Sequence, residues 1–339
     1  QKGVLEKHDT TRLILIIFAA MIQLFTGNRP LVLLLLPFII GLLVILNLWS
    51  GYYEYAPTTN LGLWGDDFQL PQSLTLTLGP IFVLGNALLL NVLFNRNDFI
   101  DRNTYITSLI YVAYFSFYHA FYQMDRLSIS HFLLILALFE VFKLAQNEKG
   151  NKAVFNAGFL VGLATTFHPA LVLFFPFLFF MVIALRPILF REFSLLAVGF
   201  GVPLLYAVVF SMFQENEISI RLISTSKDYS KIQLDFLVTA TLIIFTILVS
   251  FLALNKQSQK TSIRAKKLMR ALFIFSAFCM LLGGLDYIFF GQIERFSLLF
   301  IPISFFLTFG LSIKAYQWLS SSLVYLILIY TVGKLFLTF

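Results

Sequence analysis

The chain has 339 residues, 59% of them hydrophobic and only 12% charged, with a formal net charge of +7. A soluble domain carries about 45–50% apolar and about 25% charged residues, so this composition excludes an ordinary water-soluble fold. It does not point to a nucleic-acid partner either: no basic run is interleaved with aromatics, and Lys and Arg are what the cytoplasmic loops of membrane proteins carry.

Stretches of about 18 or more apolar residues with few charges read as membrane-spanning helices. In chain order the apolar segments fall at 11–26, 31–50, 75–94, 104–123, 129–145, 154–167, 169–186, 194–213, 234–254, 270–290, 296–313 and 317–337. They predict an all-α fold, a polytopic transmembrane helix bundle of about 11–12 spans forming a single domain over 1–339. The first segment follows Lys2, Lys7 and Arg12, so it either spans or lies half-inserted at the interface. The sixth and seventh are short and parted only by His168-Pro169. They form a tight helical hairpin or one broken re-entrant element, the latter tolerated only where protein or a water-filled cavity satisfies the backbone. The 41 phenylalanines are packing material and lipid-facing surface in such a bundle, and no aromatic box follows from them. Cys279 is alone, inside an apolar stretch, so no disulfide forms within the chain and no thiolate metal site is expected.

Orientation follows from Lys and Arg in alternate connections. Those at 26–30, 94–104, 143–153, 186–194, 254–270 and 314–317 hold fifteen, and those at 51–74, 124–130, 167–170, 214–233 and 290–297 hold five. The first set is therefore cytoplasmic, anchored by the basic loop from Asn255 to Arg270. The extracytoplasmic loop at 51–74 has no Lys or Arg, is rich in aromatics such as Tyr55 and Trp64, and carries three acids.

Ionisable groups in or beside spans are costly and mark candidate sites. His119 ends the fourth segment, Asp125 and Arg126 follow, and His131 opens the fifth. His168 stands at the turn of the broken pair, Asp286 lies in the outer third of the tenth segment, and Glu294-Arg295 come after it. Asp66 and Asp67 lie in the acidic loop. All of these fall on the outer side. Polar residues also gather at helix ends because water is there, so a single histidine is an interfacial residue, Asp286 with Arg295 a buried ion pair, and Asp66-Asp67 plain loop acids, unless they converge. There is no Gly-rich phosphate loop, zinc helix or nucleophile elbow, and no series of midplane acids such as a proton-coupled transporter needs.

Certain stretches in order carry a resemblance. They are Leu93-Phe-Asn-Arg-Asn-Asp98 with Arg102-Asn103-Thr-Tyr105, and Phe155-Asn156-Ala-Gly158 through Gly162 to His168-Pro169. Gly199-Phe-Gly201-Val-Pro203 and Arg295-Phe-Ser-Leu-Leu-Phe-Ile-Pro302 complete the set. From about residue 75 onward the chain resembles a family of uncharacterised multi-pass inner-membrane proteins of Bacteroidota. That resemblance implies a bacterial inner-membrane location and supplies no reaction. The layout is also similar to that of membrane glycosyltransferases that use polyprenyl-phosphate sugars, which carry a catalytic acid in the first large outward loop. Asp66 or Asp67 would be that residue here, as general base or as ligand of a divalent metal. Arg126 and Arg295 would hold the donor phosphate, and Trp64 would stack on the sugar or sit at the lipid interface, with His119, His131, His168 and Asp286 lining the site. Membrane lipid is an expected partner. A non-enzymatic subunit bound to other membrane proteins of an envelope complex, for secretion or surface motility, is the alternative, with Gly158-x-x-x-Gly162 permitting close helix packing. A transporter or lipid flippase using the His168-Pro169 break is the third reading.

Overall fold

The structure, a computed structural model, describes residues 22–52, 62–64, 71–100, 102–146, 150–187, 189–213, 229–258, 262–290 and 294–336. Segment 11–26 falls largely outside them, so its span is not placed. Beside the helical residues 22–26, the described residues include eleven α-helices, and they contain no strand. These are α1 (Leu35–Ser50), α2 (Gln72–Arg96), α3 (Ile106–Phe115), α4 (Arg126–Lys143), α5 (Asn151–Phe167) and α6 (Phe174–Leu185). Then come α7 (Phe190–Phe213), α8 (Tyr229–Ser258), α9 (Ile263–Phe290), α10 (Phe300–Ser312) and α11 (Lys314–Phe336). Tighter 3-10 segments lead into α1, α6 and α10, at Pro30–Leu34, Pro169–Leu173 and Glu294–Leu299. Helices are what an apolar solvent permits, because each must satisfy its own backbone polar groups there.

Among the described residues, six helical stretches are long and apolar enough to cross a membrane: Pro30–Ser50, Gln72–Arg96, Phe190–Phe213, Ile263–Phe289, Arg295–Ser312 and Lys314–Lys334. This is an all-α polytopic membrane bundle, and the short helix α3 departs from these lengths for a physical reason. Every residue of α3 is buried, and so is α10 from Phe300 to Leu311. They pack on each other at the centre, with the Thr107 and Thr308 hydroxyls 3.0 Å apart and the Tyr114 and Phe300 rings stacked at 5.3 Å. A helix sheathed by protein is released from the length that lipid imposes, and α3 has only 10 residues.

The pair around His168-Pro169 is a helical hairpin. Gly150 precedes α5, Arg186 follows α6, and a Cβ on Gly150 would collide with the Arg186 guanidinium, so both arms return to one side. The 17 residues of α5 make about 25 Å at 1.5 Å per residue, close to the roughly 30 Å of a hydrocarbon core. His168 therefore sits at the far tip, on what we term the histidine face. α5 also packs tightly on α7. A Cβ on Gly158, Gly162 or Gly199 would strike backbone of the facing helix at Leu196, Phe200 or Phe155. The Gly158-x-x-x-Gly162 motif is thus filled within the chain. The basic loop expected from Asn255 to Arg270 is mostly helix, since α8 runs to Ser258 and α9 starts at Ile263.

Candidate functional site

The long loop after α1 touches down on the tip of the hairpin. Gly62, Leu63 and Trp64 form a 3-10 turn, and Gly62 has a φ of 75°, a left-handed conformation that glycine adopts without strain. A Cβ there would collide with the backbone oxygens of Thr166 and Phe167, so glycine is also required sterically. Next to it the Trp64 indole N–H donates to the Thr166 hydroxyl at 2.9 Å, and its ring packs on Phe167 and Phe210 at 6.3 and 5.5 Å. One turn of the loop thereby bridges the ends of α5 and α7, two residues before His168. Asp66, Asp67 and Tyr55 lie outside the described residues; in the chain the two aspartates follow Trp64 by two and three positions.

Beside this turn lies a charged cluster. Asp286 near the end of α9 is 2% exposed and ion-paired with Arg295 at 2.5 Å, itself 7% exposed. Gly283 permits the approach, because a Cβ there would meet the Phe296 ring at 2.6 Å. Arg126, half-buried at the start of α4, lies within electrostatic range of Asp286. Its own N–H is capped by the Asp125 carboxylate at 2.6 Å. His168 is 5% exposed and lies within electrostatic range of Arg295, Arg126 and His131. Neither of its ring nitrogens has a hydrogen-bond partner among the described residues.

His131 behaves differently. It is fully buried, with Nδ1 3.0 Å from the Tyr111 hydroxyl and Nε2 3.2 Å from the Ser297 hydroxyl. Asn86 extends the network by donating to Tyr111 at 3.3 Å and to the Ser128 carbonyl at 3.4 Å. Both nitrogens of His131 are therefore engaged, and the ring ties α3 and α4 to the segment that carries Arg295. It positions the cluster and leaves no nitrogen for a ligand. His119 stands in the 3-10 turn His119–Phe121, half-buried, with its carbonyl accepting from the amides of Tyr122 and Gln123 at 3.0 and 3.3 Å.

One residue on this face escaped the reading of the sequence. Lys334, 3% exposed near the end of α11, donates to the Ser116 carbonyl at 3.2 Å. Its ammonium lies over the rings of Phe117 and Tyr52 at 5.0 and 5.3 Å, an attraction between cation and ring face. It thus fastens the start of the long loop to the end of α3. The signal was a lysine closing an apolar span, which reads as an interfacial residue reaching for water.

Arginine offers a planar fork of N–H donors that matches phosphate, and it is always charged. The candidate site thus holds two arginines, one of them paired with Asp286, and an imidazole whose nitrogens are unmet among the described residues. Among the described residues no group of three or more His, Cys, Asp or Glu side chains is arranged to hold a metal ion.

No curated protein and no solved structure matches the chain. The profile of a family of unknown function (DUF6427) matches residues 67–337, and the chain belongs to that family.

Proposed function

We propose that this DUF6427 protein is a membrane enzyme that transfers a sugar, or another polyprenyl-phosphate-linked group, at its histidine face. The Lys and Arg distribution directs that face away from the cytoplasm. The observation that carries the reading is the buried Asp286–Arg295 pair, within electrostatic range of Arg126 and His168, near the docked Trp64 turn. The acceptor hydroxyl attacks the carbon that bears the phosphate, the carbon–oxygen bond to phosphate breaks, and polyprenyl phosphate leaves with the electron pair. Asp66 or Asp67 takes the acceptor proton, which requires an approach of about 2.6–3.2 Å. Arg126 and Arg295 hold the phosphate through formation of its extra charge. Trp64 holds the loop in register over the hairpin.

Replacing Asp66 and Asp67 together with asparagine tests this. The envelope glycans, compared by mass spectrometry, are expected to lose a component while the protein accumulates normally. Unchanged glycans at normal protein levels would sink the idea.

The alternative of an envelope-assembly subunit loses one of its supports, because the glycine motif is filled by α7 rather than left for a partner helix. A stoichiometric partner on gentle purification would revive it. A transport path gains nothing from the His168-Pro169 break, which is a hairpin tip, whereas transporter sites lie near the midplane.

A further inference from the structure

Buried polar groups nearly always have hydrogen-bond partners, and an exception calls for an explanation. On the histidine face the fold supplies its own comparison. His131 is buried with both nitrogens engaged by hydroxyls. His168 is buried with neither engaged. Rotation of the backbone cannot relieve it: the His168 N–H donates to Ala164 O at 2.9 Å, closing the last turn of α5, and its carbonyl accepts from Leu171 N at 2.9 Å. The ring is held in place at the junction of a helix and a 3-10 turn that opens with Pro169.

The surroundings select the kind of partner. Arg295 and Arg126 both act on His168 electrostatically. Two guanidinium groups against the single Asp286 carboxylate, which pairs with Arg295, leave an excess of positive charge that repels a cation and attracts an anion. The three residues belong to three separate elements: the start of α4, the hairpin tip and the segment before α10. A carboxylate offers two oxygens in one plane, whereas a phosphate offers its oxygens in a tetrahedron and can meet donors from several directions. The flanks are apolar and open. Val172 and Leu173 follow the hairpin tip at 49% and 43% exposed, and Ile288 follows Asp286 at 75%. An acyl or prenyl chain laid on such residues would deliver its phosphate to the ring.

We propose that His168 is a phosphate ligand, donating from a ring N–H to a phosphate oxygen held also by Arg126 and Arg295. This rests on the proposed function for its substrate class, and it names the residue that fixes the donor's phosphate. Binding involves no covalent change at the imidazole.

The test is calorimetric titration of the full chain in lipid nanodiscs with farnesyl phosphate, farnesol and inorganic phosphate as probes. Farnesyl phosphate is expected to bind, farnesol to fail, and His168→Ala to weaken farnesyl phosphate by about tenfold or more, as loss of a charge-assisted hydrogen bond implies. His168→Gln, which keeps an N–H donor, is expected to recover part of the affinity, and a thermal unfolding curve for each variant separates lost binding from lost folding. Binding of inorganic phosphate as tight as that of farnesyl phosphate, with the same dependence on His168, would retain the anion site and assign it to free phosphate. Equal affinity in wild type and both folded His168 variants would overturn the proposal, leaving the ring to be satisfied by water only. If the site binds as expected while the Asp66/Asp67 double variant leaves envelope glycans unchanged, the transferase reading falls and the phosphate site stands.

Discussion

The contact between α5 and α7 places the hairpin tip under Trp64, and Gly162→Ala probes it. A Cβ at position 162 would lie 3.0 Å from the carbonyl carbon of Phe200 and 3.1 Å from its Cα, with the carbonyl oxygen nearer still. Carbon atoms rest at about 3.5–4.0 Å, so the helices would have to part by roughly 0.5–1 Å. The obstacle is backbone, which cannot swing aside as a side chain would. Overpacking of this kind costs about 1–3 kcal/mol, and the better helix propensity of alanine returns up to about 1 kcal/mol. The net expectation is a loss of about 1–2 kcal/mol. Gly201→Ala on α7 is the control, because nothing lies within 4 Å of its Cβ position. It is expected to be neutral or slightly stabilising. Unfolding in detergent micelles gives the stabilities. Fluorescence in a Trp49→Phe/Trp318→Phe background reports Trp64, whose ring rests on both Phe167 of α5 and Phe210 of α7. Gly162→Ala should destabilise the protein and shift that emission. A Gly162→Ala protein as stable as Gly201→Ala would refute the close-packing argument.

Asp286→Ala leaves Arg295 buried without its carboxylate and should destabilise by about 3–5 kcal/mol, as broken buried pairs do. The Asp286→Ala/Arg295→Met double variant should regain part of that in the same unfolding assay. Thr166→Val keeps shape but removes the acceptor of the Trp64 indole, which should cost about 1 kcal/mol and speed cleavage of the 51–74 loop by added protease. Lys334→Met removes the bond to Ser116 and the contacts with Phe117 and Tyr52. It is expected to cost about 1–3 kcal/mol and likewise to loosen that loop, read by the same proteolysis. For orientation, Cys279 is buried, so introduced cysteines report cleanly. Asn60→Cys should react with an impermeant maleimide on intact cells and Gln259→Cys only after permeabilisation; the reverse pattern would invert the histidine face.

The sequence made the class of fold plain because lipid imposes long apolar runs, and each run from 31–50 onward coincides with a helix of the described residues. The ends moved for a shared reason. Apolar runs mark the part in hydrocarbon, whereas helices continue into charged interface. Thus 270–290 became Ile263–Phe290 by absorbing Arg264, Lys266 and Lys267. The run 104–123 went the other way, ending as α-helix at Phe115 before a 3-10 turn. That α3 and α10 form the centre was not legible, since sheathing by protein and sheathing by lipid call for the same apolar residues.

At the candidate site, His168, Asp286, Arg126 and Arg295 stand out in the sequence because a charge in an apolar run is costly. Their division of labour does not. Whether a histidine's nitrogens are met depends on hydroxyls distant in the chain, such as Tyr111 and Ser297 for His131, and serine and tyrosine are too common in spans to signal that. The glycine pair was visible as a packing motif. Its partner was not, because α7 meets it through backbone oxygens that any sequence would offer.

The most direct measurement is release of polyprenyl phosphate by the full chain in proteoliposomes. A polyprenyl-phosphate-linked sugar is supplied with an envelope extract as the source of acceptors. The account predicts release that falls at least about tenfold in Arg126→Ala and in the Asp66/Asp67→Asn double variant, both folded. No release above protein-free liposomes, or release indifferent to these residues, would contradict it.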